Sequence, residues 1–362
     1  MTLRPVFAAA AVGLALATAS AAGVGGYLFL NRPPFKQLGG VRNLDLVRAY
    51  LFDPKVRRFA AALREEDPQV NAFKTMWDTN VGVLLSRRLF REVDMDGAPK
   101  YAYRANLKKL SFVVQADDLM WKLEAVDTPR IHAILRDVDT TYQVEASYDG
   151  HGFRHVDADL TTGCTRHVLF LGDSFTDGLW VKDGETFANL YGRLARAEGV
   201  AVCPVNAGVN GYGSLEERFV LEHDFEAAGC PSLVFVMYFP NDVDWDFNAV
   251  VDGTLKDSER LWRASLTELS RMHRFAAEHH SVLVLVAIPP AAHVFNRTPQ
   301  THYEDVLRTF AKQEGVPFIN LYQDFVARDP QPLYLPWDPH FAPEGHREVA
   351  KLLYEKTREL LK

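Results

Sequence analysis

The chain has 362 residues, a formal net charge of −7 and a hydrophobic content of 48%, values that are ordinary for a globular protein. This length leaves room for two domains. The sequence has no basic run and no arginine-rich stripe, which argues against nucleic acid as a partner.

The N-terminal segment, residues 1–30, predicts a membrane anchor. Residues 6–30 carry no charge and are mostly apolar or small, and a helix of about 20 residues is long enough to span the hydrocarbon core of a bilayer. A cleaved signal peptide is the alternative, because Ala19-Ser20-Ala21 resembles the small-residue cleavage site of such peptides. Both interpretations place the folded part of the chain outside the cytoplasm, either as a periplasmic domain of a single-pass membrane protein or as a secreted protein.

Residues 31–155 are predicted to form a linker followed by a smaller accessory α+β region. Pro33 and Pro34 indicate a stiff linker, and residues 43–66 have the pattern of a helix. Residues 111–115, 120–124 and 142–146 alternate apolar and polar side chains, which is typical of strands with one buried face.

Residues 156–362 are predicted to form an α/β domain with three layers, α/β/α, around a five-stranded parallel sheet. Continuous apolar strands separated by amphipathic helices indicate a sheet that is covered on both faces. The apolar runs lie at 168–171, 200–205, 233–238, 282–288 and 316–321, and the helical segments near 184–198, 214–228, 256–279, 302–314 and 343–361.

Polar residues follow the ends of the predicted strands. Ser174 follows the first strand, a glycine-rich turn containing Gly211 follows the second, and Asn241 follows the third. Asp338 and His340 lie near the C-terminus. Ligands gather at the carboxyl ends of parallel strands, so we expect these residues at one edge of the sheet, where together they have the composition of an acyl-transfer site.

Each of these residues has a physical task in such a site. Ser174 is a weak nucleophile that needs a base, and the imidazole of His340 can take and return a proton near neutral pH. Asp338 would orient that imidazole. Attack on an ester creates an oxyanion that needs fixed donors, which we expect from the backbone N–H groups of Ser174 and Gly211 and the side-chain amide of Asn241.

Four short blocks resemble those of the SGNH (GDSL-type) serine hydrolases over roughly residues 160–362. They are residues 172–174, 206–211, 241–242 and 338–340. The resemblance implies a flavodoxin-like fold, ester hydrolysis without a cofactor, and the roles given above for the nucleophile, the triad and the oxyanion hole.

One further local feature supports the resemblance, and two depart from the pattern of the family. Residues 149–154 are similar to a lead-in found in exported bacterial members. Phe239 stands where the third block usually has glycine, and one residue instead of two separates Asp338 from His340. The second departure changes how the carboxylate reaches the imidazole.

These observations predict an exported serine esterase or acylhydrolase whose substrate is a small-molecule or glycan ester. No apolar lid sequence is evident, which favours O-acyl groups on surface carbohydrate over membrane lipid. An O-acyltransferase that acts on an extracytoplasmic polysaccharide is one alternative, and a glycan-binding protein with a decayed site is another. Tyr238, Trp245 and His293 are expected to line the substrate pocket.

No metal is expected, because neither the cysteines nor the aspartates follow a metal-binding spacing. Cys164 lies ten residues before Ser174, and Cys230 lies eleven before Asn241. If the two strands are neighbours, both cysteines reach the opposite edge of the sheet together. We therefore predict a Cys164–Cys230 disulfide, with Cys203 buried and free.

Overall fold

The computed structural model describes residues 90–107, 110–115, 141–244, 246–297, 301–335 and 339–361. The predicted anchor, linker and first helix, the predicted strand at 120–124, Trp245 and Asp338 all lie outside these residues. Within the described ranges, no helix combines the length and the apolar character that a membrane span requires. The chain divides into two compact units, residues 1–101 and 102–362, so the second unit includes part of the predicted accessory region.

Two small sheets precede the main one. Strands β1 and β2 form one of them and β3 and β4 pair antiparallel in the other, with bounds Phe90–Met95, Ala98–Tyr103, Leu110–Gln115 and Thr141–Ala146. The strands predicted at 111–115 and 142–146 are confirmed. The β1–β2 pair was not predicted, although Asp96-Gly97 between them, with φ of 54° and 80°, is a strong sequence signal for a tight hairpin.

The main sheet has five parallel strands, as predicted. They are β5 to β9, with bounds Arg166–Gly172, Val202–Asn206, Leu233–Tyr238, Val282–Ala287 and Phe318–Asn320. Their spatial order is β6-β5-β7-β8-β9, and their pairings are parallel throughout. Numbered along the chain, this is the 2-1-3-4-5 order of flavodoxin-like folds.

Helices cover both faces of this sheet. Alternate residues of a strand point to opposite faces, and on β7 the ring of Phe235 packs against Tyr191 while the ring of Tyr238 packs against Trp262. Tyr191 and Trp262 belong to different helices, so the three-layer prediction is confirmed. The helices α1 to α9 span Ser174–Asp177, Phe187–Ala197, Ser214–His223, Phe247–Asp252, Ser258–Glu278, Ala291–Phe295, His302–Glu314, Leu321–Val326 and Pro343–Thr357.

The disulfide joins Cys164 to Cys203, with 5.5 Å between their Cα atoms, so the predicted Cys164–Cys230 pair is wrong. The reason is that β6 is short. It has only five residues, so Cys203 lies near its beginning and not in its middle. Cys203 is its second residue and lies opposite His167 of β5, close to the end where Cys164 enters the sheet. Cys230 is exposed and free.

We expect removal of this disulfide to lower the free energy of unfolding by about 3–4 kcal/mol, because the bond closes a loop whose ends are 39 residues apart. Urea unfolding of Cys164→Ala/Cys203→Ala beside the wild type would measure the loss. Cys230→Ser is the matched control and should stay within about 0.5 kcal/mol, because it changes an exposed side chain. Equal stability of the double variant and the wild type would contradict the expectation.

Candidate active site

The loop after β5 presents Ser174 at the carboxyl edge of the sheet. The Asp173 side chain accepts a hydrogen bond from the Phe175 amide at 2.8 Å and so caps helix α1. This helix has only four residues and is capped at its C-terminus by Gly178, whose φ of 78° suits glycine. The Ser174 carbonyl accepts from the amides of Gly178 and Leu179 at 3.1 and 3.0 Å. Ser174 therefore begins a single, tightly closed turn.

His340 meets Ser174 across 166 positions of sequence. The distance from Ser174 Oγ to His340 Nε2 is 2.7 Å, within the range required for direct proton transfer. The histidine backbone is held by a hydrogen bond from the Leu335 amide to its carbonyl at 2.9 Å. Its ring lies 4.7 Å from the Phe175 ring. The structure thus brings the predicted nucleophile and the predicted base together.

The predicted triad acid, Asp338, lies outside the described residues, so its role remains a prediction. The buried carboxylate next to the nucleophile is Asp173. Burial raises the pKa of Asp173 to about 6, while His340 and a hydrogen bond from Asn241 act in the opposite direction. Asp173 already accepts the cap hydrogen bond from Phe175, which gives it a structural task.

The glycine-rich loop after β6 packs closely against the nucleophile turn and is hydrogen-bonded to it. The Asn206 side chain donates to the Thr176 carbonyl at 2.7 Å and accepts from the Gly208 amide at 3.1 Å. A Cβ at Gly208 would stand 2.1 Å from the amide nitrogen of Asp177, so only glycine permits this approach. The same loop contains Gly211, with φ of 79°, whose role as an oxyanion donor remains a prediction.

Asn241 lies in the short 3-10 turn Pro240–Asp242 that follows β7. Its Nδ2 donates to the Tyr212 carbonyl at 3.0 Å. Because a carbonyl can only accept, this contact fixes which way the amide group points. Asn241 also lowers the pKa of the Asp173 carboxyl group. The side chain is therefore tied to the turn that contains Gly211 and acts on the residue that precedes the nucleophile.

Two of the residues expected to line a substrate pocket can be placed. Tyr238 is wrong as a pocket residue: it is completely buried, and its hydroxyl bonds to Ser265 of α5 beneath the sheet. It is the last residue of β7, and the alternation of that strand turns it towards the α5 layer. His293 is buried in α6 with Asp252 3.5 Å from its Nε2, and burial lowers its pKa. A role for His293 in substrate binding remains a prediction.

His346 is not a second base. It is 1% exposed, and its Nδ1 accepts a hydrogen bond from the Phe187 amide at 3.2 Å at the start of α2. Burial lowers its pKa to about 3. A neutral imidazole that accepts from a helix N-terminus is a structural group.

Glu217 is a buried carboxyl group near the site whose burial was not evident from the sequence. Glu217 of α3 is 1% exposed, and neither of its carboxyl oxygens has a hydrogen-bond partner among the described residues. Burial raises its pKa well above the ordinary value, and the charges of Asp242 and Asp173 act in the same direction. In the sequence it stands beside Glu216 and Arg218, a run typical of an exposed helix face.

One cluster of potential metal ligands occurs in the part of the chain that the structure describes. Atoms of Cys164, His167 and Cys203 lie within 4.8 Å of one another. The two sulfurs are bonded to each other, whereas a metal ligand is a thiolate. The cluster therefore has no bearing on the chemistry at Ser174.

Comparison with known proteins gives one family. The family model described as the GDSL-like Lipase/Acylhydrolase family matches residues 170–348. No curated protein matches the chain.

Solved structures similar to the chain include three esterases or lipases of low sequence identity. The psychrotrophic esterase EstA from Pseudoalteromonas sp. is 16% identical, with 54% of this chain and 98% of that one covered and a TM-score of 0.42. The lipase/acylhydrolase from Enterococcus faecalis is 18% identical, with 55% and 98% covered and a TM-score of 0.43. A catalytic mutant of Axe2, an acetylxylan esterase from Geobacillus stearothermophilus, is 18% identical, with 54% and 95% covered and a TM-score of 0.41.

We expect Glu217→Gln to stabilise the protein increasingly as the pH rises. A folded-state pKa above the unfolded value means that the stability linked to Glu217 is complete below the unfolded pKa and is lost as the pH rises through the folded pKa. Glutamine cannot ionise, so the variant escapes this loss, which amounts to about 1.4 kcal/mol per pH unit across that window.

Urea unfolding at several pH values between 4 and 8 would measure the difference between variant and wild type. Glu226→Gln, at an exposed position after the same helix, is the matched control and should give a nearly constant difference. Parallel stability curves for Glu217→Gln and the wild type would contradict the expectation.

Proposed function

We propose that this chain is a serine esterase that acts through Ser174, and the match of residues 170–348 to the model of the GDSL-like Lipase/Acylhydrolase family supports the proposal. The observation that carries this proposal is the 2.7 Å contact between Ser174 Oγ and His340 Nε2. A hydroxyl in contact with an imidazole is the minimum that nucleophilic catalysis requires. The contact lies at the carboxyl edge of the sheet, where ligands bind in folds of this topology.

The proposed reaction has two halves. His340 Nε2 takes the hydroxyl proton while Ser174 Oγ forms a bond to the ester carbonyl carbon, and the carbonyl oxygen becomes an oxyanion. The intermediate collapses, the bond to the alcohol oxygen breaks, and His340 returns the proton to the departing alcohol. Water then attacks the acyl-enzyme with the same base, which releases the acid and restores the Ser174 hydroxyl.

The oxyanion would be stabilised by donors from three adjoining segments. The proposal assigns this task to the backbone N–H groups of Ser174 and Gly211 and to the amide of Asn241. Its support is that the Asn241 amide is hydrogen-bonded to the carbonyl of Tyr212, the neighbour of Gly211, and that Asn241 lowers the pKa of Asp173, the neighbour of Ser174. We assign Asp338 the task of orienting His340, by analogy with other serine hydrolases.

We further propose that the substrate is an O-acyl group on an extracytoplasmic carbohydrate. Export is supported by the apolar N-terminal run and by the Cys164–Cys203 disulfide, a bond that persists in oxidising compartments. A polar substrate is favoured over a lipid because, among the described residues, the exposed large hydrophobic side chains are Leu215, Val282 and Leu360. These three side chains belong to three different elements, and single exposed hydrophobic residues are normal at a protein surface.

The central test is a panel of p-nitrophenyl esters of graded chain length, run with wild type, Ser174→Ala and His340→Ala. Loss of nucleophile or base should lower kcat by about 10³-fold or more, because these groups act as a unit. A fluorophosphonate probe should label the wild type and leave Ser174→Ala unlabelled. Ser258→Ala, at the start of surface helix α5, is the control and should behave as wild type.

Wild-type rates in Ser174→Ala would contradict the assignment of the nucleophile. A wild type that neither hydrolyses esters nor reacts with the probe would favour a binding protein with a decayed site. Acyl release from acetylated oligosaccharides in water tests the carbohydrate proposal. A requirement for an acceptor sugar would instead identify an acyltransferase.

Asn241→Ala tests the oxyanion assignment separately. We expect kcat to fall by about 10²–10³-fold with little change in KM, because the donor acts on a charge that develops only in the transition state. Steady-state kinetics with p-nitrophenyl acetate measure both constants. Asn296→Ala, at an exposed position after α6, is the control, and an Asn241→Ala variant with unchanged kcat would remove Asn241 from the oxyanion hole.

A further inference from the structure

Arg154 lies 20 positions before the proposed nucleophile and before the part of the chain that matches the family, yet it is 2% exposed. We infer that Arg154 is a positioning residue: it holds the nucleophile turn and the Gly211 loop in a fixed relation to each other. The inference rests on the proposed function of Ser174. It also gives the segment upstream of β5 a task in catalysis.

The guanidinium group of Arg154 binds the chain immediately after the nucleophile helix. Nη1 donates to the carbonyls of Asp177 and Gly178 at 3.0 and 3.4 Å, and Nη2 donates to the Val181 carbonyl at 2.7 Å. Nε donates to the Asp183 carboxylate at 2.8 Å. One planar side chain therefore fixes the path of residues 177–183, which a flexible ammonium group could not do with the same geometry.

The backbone of Arg154 binds the second loop of the site. Its amide donates to the Asn206 carbonyl at 2.9 Å, in an isolated antiparallel bridge at the end of β6. The Asn206 side chain in turn donates to the Thr176 carbonyl within the nucleophile helix. Residue 154 thus links β6, where the Gly211 loop begins, to the C-terminal end of the turn that starts at Ser174.

A buried carboxylate completes this arrangement. Asp177 is 1% exposed and accepts hydrogen bonds from the hydroxyls of Tyr148 and Tyr103 at 2.9 and 3.2 Å. Its carboxylate also lies 3.8 Å from Arg154 Nη1. The two tyrosine rings stack at 4.0 Å. Asp177 is the last residue of the four-residue helix α1, so the upstream segment binds the C-terminal end of the nucleophile helix.

These contacts bear on rate because α1 is too short to hold itself in place. A single helical turn has little stability of its own, and Ser174 is the first residue of that turn. Its carbonyl accepts from Gly178 and Leu179, whose segment is the one bound by Arg154. A displacement there would carry Ser174 Oγ away from His340, and a misplacement of about 1 Å can lower a rate by 10²-fold.

The test compares Arg154→Lys and Tyr148→Phe with the wild type, using p-nitrophenyl acetate and a fluorophosphonate titration that counts active sites. We expect Arg154→Lys to lower kcat per titrated site by about 10–100-fold with KM changed less than about twofold. Tyr148→Phe, which removes one hydrogen bond to Asp177 and keeps the ring, should lower kcat by less. Arg193→Lys is the matched control, because Arg193 pairs with Asp157 at the surface and should leave kcat unchanged.

A merely structural role would give a lower yield or a lower Tm but a normal kcat for each titrated site, and that result would overturn the inference. If Arg154→Lys does not fold, the same criterion applied to Tyr148→Phe decides. The two failures are separable. A wild type that is inert towards ester and probe contradicts the proposed function, whereas an active wild type with unaffected variants contradicts the positioning role alone.

Discussion

The contact between Ser174 and His340 depends on the sheet, because the two residues come from opposite ends of the α/β domain. Ser174 follows β5, a central strand with neighbours on both sides, and His340 precedes the C-terminal helix α9. Neither segment could hold its side chain alone. The strand pairings of the sheet therefore help to set the 2.7 Å distance between Ser174 Oγ and His340 Nε2. Hydrogen bonds also fix the turns that contain these two residues.

Buried acidic groups concentrate around this contact, and their partners differ in an informative way. Asp173 caps α1, Asp177 is bound by two tyrosines and an arginine, and Asp242 accepts from the Ser214 hydroxyl and the Phe239 amide at 2.9 Å. Burial raises the pKa of each of these carboxyl groups. Three carboxyl groups thus serve as acceptors that hold the turns. Glu217 has no hydrogen-bond partner within the described part of the chain and favours its neutral form.

The sequence was sufficient for the parts that follow from strong local patterns. All five parallel strands were placed within a few residues, because continuous apolar runs bounded by turns leave little ambiguity. The edge position of Ser174 followed from the rule that strand ends share an edge, whereas His340, twenty residues after β9, was assigned from its chemistry and from the family resemblance. The order of the strands, by contrast, depends on long-range pairing, which local pattern does not contain.

The errors have the same origin. The Cys164–Cys230 prediction treated Cys203 as buried in the middle of a strand at residues 200–205, whereas β6 begins only at Val202. Strand boundaries are the least certain feature that a sequence predicts. Tyr238 was assigned to a pocket as part of the aromatic-rich segment 238–247, but side-chain alternation turns it towards the α5 layer. The buried state of Glu217 depends on packing between distant segments and had no local signal. The segment 149–154 was noted for its resemblance to the family, but the contacts that Arg154 makes there also depend on long-range packing.

The bridge between Arg154 and Asn206 has a consequence for the solubility of the domain. An open sheet has two edges, each with unpaired backbone groups that invite association with other chains. One edge here is β9, which is only three residues long. The other is β6, whose last residue is already paired with Arg154. The upstream segment thus pairs part of the β6 edge and lowers its tendency to associate with other chains, a task separate from the chemistry at Ser174, which lies at the same carboxyl end of the sheet.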